Sequence, residues 1–445
     1  MRSRAGLQTD LPNRWHDDWP NWPPWLAENA SYDKGMLEVG RSRSESRQVE
    51  AAVQKLRERA DDVKAIAASY ATELAERSNE FEQLRHLPQD LADRLAQDGL
   101  YHVCTPAEQG GRGLPPRAYA EVVELLAKSD ASAAWCVFIG ITTAFSLASA
   151  ETEDIEQILR KPGVITAGVF APNGRATRTR RDGTDGYLVK GRWQWGSGTR
   201  NAHWIAGGSL VVDDHGAIQL DERGKPEHLT ILFDANDVEL LDTWSVMGLQ
   251  GTGSTDFRVD DVFVPEARTI KRFGRRRSDH PIFLFPNFGM LAIGIASVAL
   301  GAVRATIDDF LMFAGKKIPQ GNSRVLAEKS ATQAGIAKAE ARLRAGRAFF
   351  YEAIDAAWDG ALRDDVSTEL RRDLRLATSE AVHAAKQCVD MVYELAGGTA
   401  VYRSSTIQRR FRDVHVAGQH MMVNHGTYEL VGRLLLDLPT DIELL

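Results

Sequence analysis

GYLVKGRWQWGSG, residues 186–198, reads as a β-strand running into a glycine-rich end. It belongs to a set of period-two runs between Val164 and Pro265: GVITAGVF (163–170), HWIAGGSLVV (203–212), HLTILF (228–233) and FRVDDVFVP (257–265). Gly-rich or acidic turns separate them, so the middle of the chain is a β domain. Residues two apart on a strand face one side, so the Trp195 ring and the Ser197 hydroxyl are expected to meet one ligand. The plain alternative is a core tryptophan beside a turn serine.

Outward from that strand the period changes. Toward the N-terminus, Ser46 to Ala150 is helical: Pro88 suits a first turn, Leu91 and Leu95 share a face, and Gly99 suits a C-cap. Tyr119, Val122, Val123 and Leu126 continue the pattern. After Pro286, long Ala-, Leu-, Arg- and Glu-rich helices run through Arg433, broken at 321–323 (GNS) and at Gly397-Gly398. The order is helical, β, helical. Such runs of one class argue for segregated layers and against a parallel βαβ sheet. The expected division is an arm over 1–45, a helical domain over 46–160, a β domain over 161–275 and a helical bundle over 276–445. The arm carries Trp15, Trp19, Trp22 and Trp25 among prolines and fits no regular element.

The chain has 445 residues, 43% hydrophobic and 26% charged, enough to bury a real core and too apolar for dominant disorder. A net charge of −7 gives no overall attraction for nucleic acid. The short Arg275 to Arg277 cluster reads as a solvated loop. Three cysteines without a CxxC pair fit a reducing, cytoplasmic setting. Two uncharged runs, Ala131 to Ala150 and Pro281 to Val303, reach membrane length. Their Ser, Thr, Pro and Asn content reads instead as core helix, so no membrane partner is expected.

Several chemistries lack their motifs. There is no GxGxxG, GxxxxGK[ST], GxSxG or HExxH, which disfavours a Rossmann nucleotide site, a P-loop, a serine hydrolase and a zincin. His415, His420 and His425 are spaced by five, which turns each about 140° from the last on a helix and disfavours a shared metal.

Three ordered motifs carry a family resemblance. GLYHVCTPAEQGGRGLP (99–115), MGLQGTGSTDFRVDDVFVP (247–265) and LAGGTAVYRSSTIQRRFRD (395–413) resemble conserved stretches of the acyl-CoA dehydrogenase superfamily across about residues 50 to 435. The resemblance implies an α+β fold: an N-terminal helical domain, a central β-barrel or sandwich, and a C-terminal four-helix bundle. It places Trp195 beside a flavin and Ser197 at the flavin N5. In VNHGTYEL (423–430), His425 stands where many dehydrogenases carry a catalytic Glu. PNGRAT (172–177), GYLVKGRWQWGSG and RDVHVAGQH (412–420) are closer to the flavin-dependent two-component monooxygenases.

That branch implies a flavin-dependent monooxygenase, the oxygenase component of a two-component system. It would take diffusible reduced FMN, or alternatively FAD, from a separate NAD(P)H:flavin reductase. It would react the flavin with O2 to a C4a-(hydro)peroxyflavin and oxygenate a small aromatic or heteroatom-containing substrate. His420 becomes the active-site histidine, whose ordinary pKa of ~6.5 would let it hydrogen-bond or protonate a peroxide near neutral pH. Ser197 shares the catalytic role. Phe170, Gly251, Ser254 and Arg410 join Trp195 and Ser197 as flavin contacts, and Trp135 and Thr142 become substrate contacts. No metal is implied, and a homotetramer is. The alternatives are an FAD-dependent acyl-CoA dehydrogenase-like oxidoreductase and a non-enzymatic helical scaffold.

Overall fold

The computed structural model describes residues 43–150, 152–271, 280–443 and 445, so the tryptophan-rich arm and the Arg275 to Arg277 cluster lie outside the described residues. Contacts divide the chain into two units, Met1–Glu58 and Arg59–Leu445. Helix α1 (Arg43–Ser69) begins in the first unit, where Gln54 Nε2 donates to Glu58 Oε1 one turn on, at 2.9 Å.

In the second unit the helical region continues with α2 (Ala71–Leu84), α3 (Gln89–Gln97), α4 (Pro116–Ser129), α5 (Ala131–Ala148) and α6 (Glu153–Leu159). Pro88 is the N-cap of α3, one position before the first turn, and Gly99 takes φ 76° just past its end. Leu91 and Leu95 lie on the buried face of α3, as their spacing requires.

Seven strands follow: β1 (Thr166–Arg181), β2 (Thr184–Gly196), β3 (Trp204–Val212), β4 (His228–Asp234), β5 (Glu239–Leu241), β6 (Thr255–Pro265) and β7 (Thr269–Lys271). They form one ladder in the order β5-β6-β2-β1-β3-β4-β7. The pairs are antiparallel except β1 with β3, so one parallel pair exists inside an otherwise antiparallel region. The described strands make the expected central β domain, with β5 and β7 at the two ends of the ladder.

The sheet is curled. Strands β2 and β4 are three places apart, which in a flat sheet is roughly 14 Å, yet the Trp193 and Phe233 rings sit 5.7 Å apart. Trp193 is fully buried, stacks on Phe257 at 5.0 Å, and donates its indole N–H to Gly208 O at 2.7 Å. Curling buries one face of the ladder around that indole. Because β2 and β3 lie on either side of β1, the chain from Ser197 to His203 must cross the end of β1, which brings Ser197 out of the ladder toward the helices.

The C-terminal region holds three long helices, α7 (Asn287–Ala314), α8 (Ser330–Leu362) and α9 (Thr368–Ala396), and two short ones, α10 (Thr406–Ala417) and α11 (His425–Leu435). Where a four-helix bundle was expected, the fourth member is thus split, and the chain between α10 and α11 is free to form a loop. The membrane-length candidates are core helices: α5 is buried along its whole length, and 89% of the apolar window of α7 is buried. Helix α7 packs on α4, α5, α9 and α10. Its Gly301 allows the tight crossing, since a Cβ there would stand 2.3 Å from the Glu124 carbonyl oxygen of α4.

Candidate active site

Helix α5, the end of β2 and the loop 247–254 meet at one point. Asp130 caps α5: its side chain accepts from Ala133 N at 2.8 Å, satisfying an end donor and fixing where the helix starts. Trp135 follows a turn later, buried, and its indole N–H donates to Ser197 Oγ at 3.0 Å. Ser197 Oγ bonds Ser254 Oγ at 2.6 Å, Ser254 Oγ bonds Thr252 Oγ1 at 2.6 Å, and Thr252 donates to the Leu249 carbonyl at 2.8 Å. A continuous row of buried hydroxyls therefore links Trp135 to the loop.

The loop is held by irregular backbone. Leu249 and Gly253 both take left-handed φ, 51° and 54°. Gly248 lies so close to α10 that a Cβ would meet the Arg412 carbonyl oxygen at 2.4 Å. From the same helix, Asp413 accepts from Leu249 N at 2.6 Å. Asp413 is buried, and that burial pushes its carboxyl up to about 7; Leu249 N pulls the other way, and Asp130 raises it further. Asp130 is itself pushed up to about 6, chiefly by burial.

His420 sits in the loop between α10 and α11. Arg375 of α9 supports that loop by donating to Met422 O at 2.9 Å and Thr427 Oγ1 at 3.2 Å. The imidazole centroid is 6.2 Å from the Trp135 ring. Its Nδ1 accepts from Met422 N at 3.2 Å, so the neutral ring carries its proton on Nε2. Desolvation, aided by the Arg375 charge, pulls its pKa down to about 4. At neutral pH His420 is thus a neutral imidazole with its proton on Nε2, which suits the hydrogen-bonding one of its two expected tasks.

The expected site residues separate into two groups. His420, Trp135, Ser197 and Ser254 come together. The others do not join them directly. Trp195 takes φ 62° where the β2–β6 register shifts between Trp193 and Gly196. Strand alternation fails there: Trp195 is 70% exposed while Ser197 is 5% exposed, so the premise that put both on one face does not hold. Thr142 turns its hydroxyl back to Phe138 O and Ile139 O, at 3.0 and 3.1 Å. Gly251 packs against α2, where a Cβ would lie 2.7 Å from Phe81 Cβ. Arg410 pairs with Asp309 of α7 and reaches the Ala305 and Lys128 carbonyls, tying helices together rather than facing the hydroxyls. Phe170 lines a cavity of about 670 Å³ with Ser146, Ile270, Phe285, Phe288 and Arg371.

The three histidines occupy different surroundings: His415 bonds Asp390 at 2.8 Å, and His425 lies 6.2 Å from the His383 ring and 6.1 Å from Tyr428. Thr252, Arg375 and Asp413 were not singled out from the sequence. Asp413 lies inside the quoted RD motif, which was the available signal; Thr252 lies between two residues that were named.

The architecture agrees with the comparisons. The acyl-CoA dehydrogenase N-terminal domain matches residues 57–157 and the acyl-CoA dehydrogenase C-terminal domain matches 293–425. The chain belongs to the acyl-CoA dehydrogenase superfamily. Within it the chain falls in the flavin-dependent monooxygenase branch and is an oxidoreductase of that kind. It is 31% identical over 360 residues to an indole-3-acetate monooxygenase of Pseudomonas putida, covering 80% of this chain and 89% of that protein. It is 27% identical to the flavin-dependent monooxygenase oxygenase subunit HsaA of Rhodococcus jostii, covering 78% and 91%. The fold matches XiaF from Streptomyces, solved with FADH2 and glycerol, with a TM-score of 0.79 at 24% identity over 87% of this chain and 98% of that one.

The residues present fit a flavin. An indole left 70% exposed is a large apolar surface held out by defined backbone, and a planar ring laid on it would cover it. Next to it in sequence stands the buried hydroxyl row ending at Ser197.

Proposed function

We propose that the chain is the oxygenase component of a two-component system, receiving reduced flavin from a separate NAD(P)H:flavin reductase and inserting one oxygen atom of O2 into a small substrate. FMN is the favoured flavin, with FAD as the alternative. The observation that carries this reading is the cluster of His420, Trp135, Ser197 and Ser254, with the outward Trp195 two residues before Ser197 in the chain. Bound in its reduced form, the flavin supplies two electrons and the carbon at which O2 is activated. The chain supplies the rest. Trp195 covers one face of the ring system, Ser197 holds N5, and His420 donates a hydrogen bond from Nε2 to the oxygen end of the reaction. A neutral imidazole suits that task, since it stabilises oxygen without adding a cation.

The 670 Å³ cavity is where the substrate is received. Phe170, Phe285 and Phe288 give it aromatic walls, which supports an aromatic substrate. The homotetramer implied by the resemblance and the cytoplasmic location expected from the cysteines belong to this reading. The dehydrogenase alternative is weakened at position 425, where a histidine rather than a carboxylate stands near His383 and Tyr428.

The test uses the full chain with FMN, a flavin reductase and NADH, a panel of small phenols and aromatic acids, and ¹⁸O2. Wild type should incorporate one ¹⁸O atom into a panel member. His420→Ala should bind reduced FMN within about threefold of wild type yet release the oxygen as hydrogen peroxide, cutting product per O2 consumed about tenfold. Equal coupling in the two proteins would remove His420 from the reaction.

A further inference from the structure

Of the two ring nitrogens of His420, one is tied and the other is open. Nδ1 accepts from Met422 N at 3.2 Å, and because a backbone amide can only donate, the proton of the neutral ring stands on Nε2. Among the described residues none hydrogen-bonds Nε2, which is left for a ligand. The residue that ties Nδ1 is itself gripped from outside the loop. Arg375 of α9, 3% exposed, sends Nη2 to Met422 O at 2.9 Å and to Thr427 Oγ1 at 3.2 Å, and its Nη1 meets Met422 Sδ at 3.8 Å. Thr427 Oγ1 donates to the same Met422 carbonyl at 3.3 Å. The N–H and C=O of Met422 share one Cα, so a guanidinium that fixes the carbonyl and the side chain also fixes where the N–H points. Within the loop, Val423 N donates to His420 O at 3.0 Å and closes the turn around the pair.

We infer that Arg375 is a positioning residue for His420: by holding the Met422 carbonyl from α9 it keeps the Met422 N–H on Nδ1, so that the imidazole presents a hydrogen on Nε2 to the oxygen that reacts. This deepens the proposed function and rests on it for the reaction served, while the tautomer is a property of the chain alone. A guanidinium suits the task because its donors stand in a rigid planar fork that reaches a carbonyl, a hydroxyl and a sulfur at once. Its charge acts in the same direction. Burial first, and then Arg375, hold the imidazole pKa down to about 4, so at neutral pH no second proton turns Nδ1 into a donor. Around the ring, α5 contributes the uncharged Trp135 and the loop contributes the Met422 amide, so the charge set against imidazolium comes from α9. Without the Met422 N–H on Nδ1 either nitrogen can carry the proton, and a share of the rings would offer oxygen a lone pair in place of a hydrogen.

The experiment labels the histidine rings of the full chain with ¹⁵N and records which ring nitrogen of His420 carries the proton as pH is varied, the signals of His420 being those missing from His420→Gln. Wild type should show the Nε2–H form alone from about pH 6 to 8. Arg375→Met removes both fork and charge, so it should mix the two tautomers and bind a proton on the ring at least about tenfold more tightly. Arg375→Lys keeps the charge as a point and loses the fork, so the tautomers should mix while the ring stays neutral at about pH 7. In both variants, oxygenated product per O2 consumed should fall at least about threefold while reduced FMN binds within about threefold of wild type. Thermal melting shows that each variant is folded, and either variant alone reports the tautomer. A merely structural role would lower the melting temperature and leave the ring signals as in wild type. An Nε2–H form retained unmixed in the folded variants overturns the inference and leaves the proposed function standing. A wild-type chain that oxygenates no member of the panel rejects the proposed function instead, and the ring signals still decide whether Arg375 sets the tautomer.

Discussion

Trp193 and Trp195 are two residues apart on one strand and could hardly differ more. Trp193 is fully buried in the curled sheet, while Trp195 is 70% exposed. Up to Trp193, β2 keeps register with β6 apart from one shift near Lys190; past it, the register shifts again and Trp195 takes φ 62°. Alternation therefore builds the core, and the site begins where alternation stops. A ladder offers its side chains to two fixed faces, and only a break lets a large ring stand away from both while the next hydroxyl turns inward.

The sharpest way to break this comparison is to truncate each indole. Trp193→Ala should cost about 3–5 kcal/mol of folding stability, because it empties a packed volume against Phe233 and Phe257 and strands the Gly208 carbonyl. Trp195→Ala should change stability by no more than about 0.5 kcal/mol, as for other exposed positions. Its effect should appear instead as weaker binding of reduced FMN, by about tenfold. Urea unfolding and anaerobic titration read the two effects separately. Comparable destabilisation by both variants would mean that Trp195 is a core residue after all.

The contrast also shows what could be read from the sequence. The helical, β, helical order was legible because period is a property of consecutive residues. So were the buried character of α5 and α7 and the pairing of Leu91 with Leu95. Trp135, Ser197, Ser254 and His420 were legible as a group through motifs that resemble a family, not through spacing. The register break at Trp195 was not, since nothing in WQWGSG announces a positive φ at a tryptophan. Nor was the pKa of His420, which depends first on its burial and then on Arg375, 45 positions away in the sequence. Arg410 was picked out because it lies in the motif; its pairing within the chain with an aspartate on another helix was not legible.

Asp413 sharpens the comparison at the loop that holds the hydroxyls. Its folded pKa of about 7 lies above the ordinary carboxylate value of ~3.9. The folded state therefore binds more protons than the unfolded state between those values. The stability it contributes is full below about pH 4 and is lost as pH rises toward 7, at up to ~1.4 kcal/mol per pH unit. His420 acts in the opposite sense. Its folded pKa of about 4 lies below ~6.5, so its contribution is present above pH 6.5 and lost as pH falls toward 4. The two slopes partly cancel in the wild type, and Asp130, raised to about 6, adds to the Asp413 side. Asp413→Asn removes one term while keeping an acceptor for Leu249 N. Its stability relative to wild type should rise with pH between 5 and 7, measured by thermal melting in buffers of matched ionic strength. A difference that stays flat over that range would show that Asp413 is ionised in the folded protein.

The smallest effect on flavin binding is expected at Arg410, and it separates motif membership from place in the site. Arg410 pairs with Asp309, and the two side chains are 13% and 27% exposed, so the pair is partly screened by water. Arg410→Gln keeps a shorter polar side chain and removes the charge, along with the guanidinium contacts to the Ala305 and Lys128 carbonyls. The loss should be about 1 kcal/mol of stability. The affinity for reduced FMN should stay as in wild type, because neither the hydroxyl row nor the His420 loop touches this arginine. A changed affinity would mean that α10 transmits its packing to the 247–254 loop through Arg412 and Asp413. The boundary between scaffold and site would then lie one helix further out than the hydrogen bonds place it.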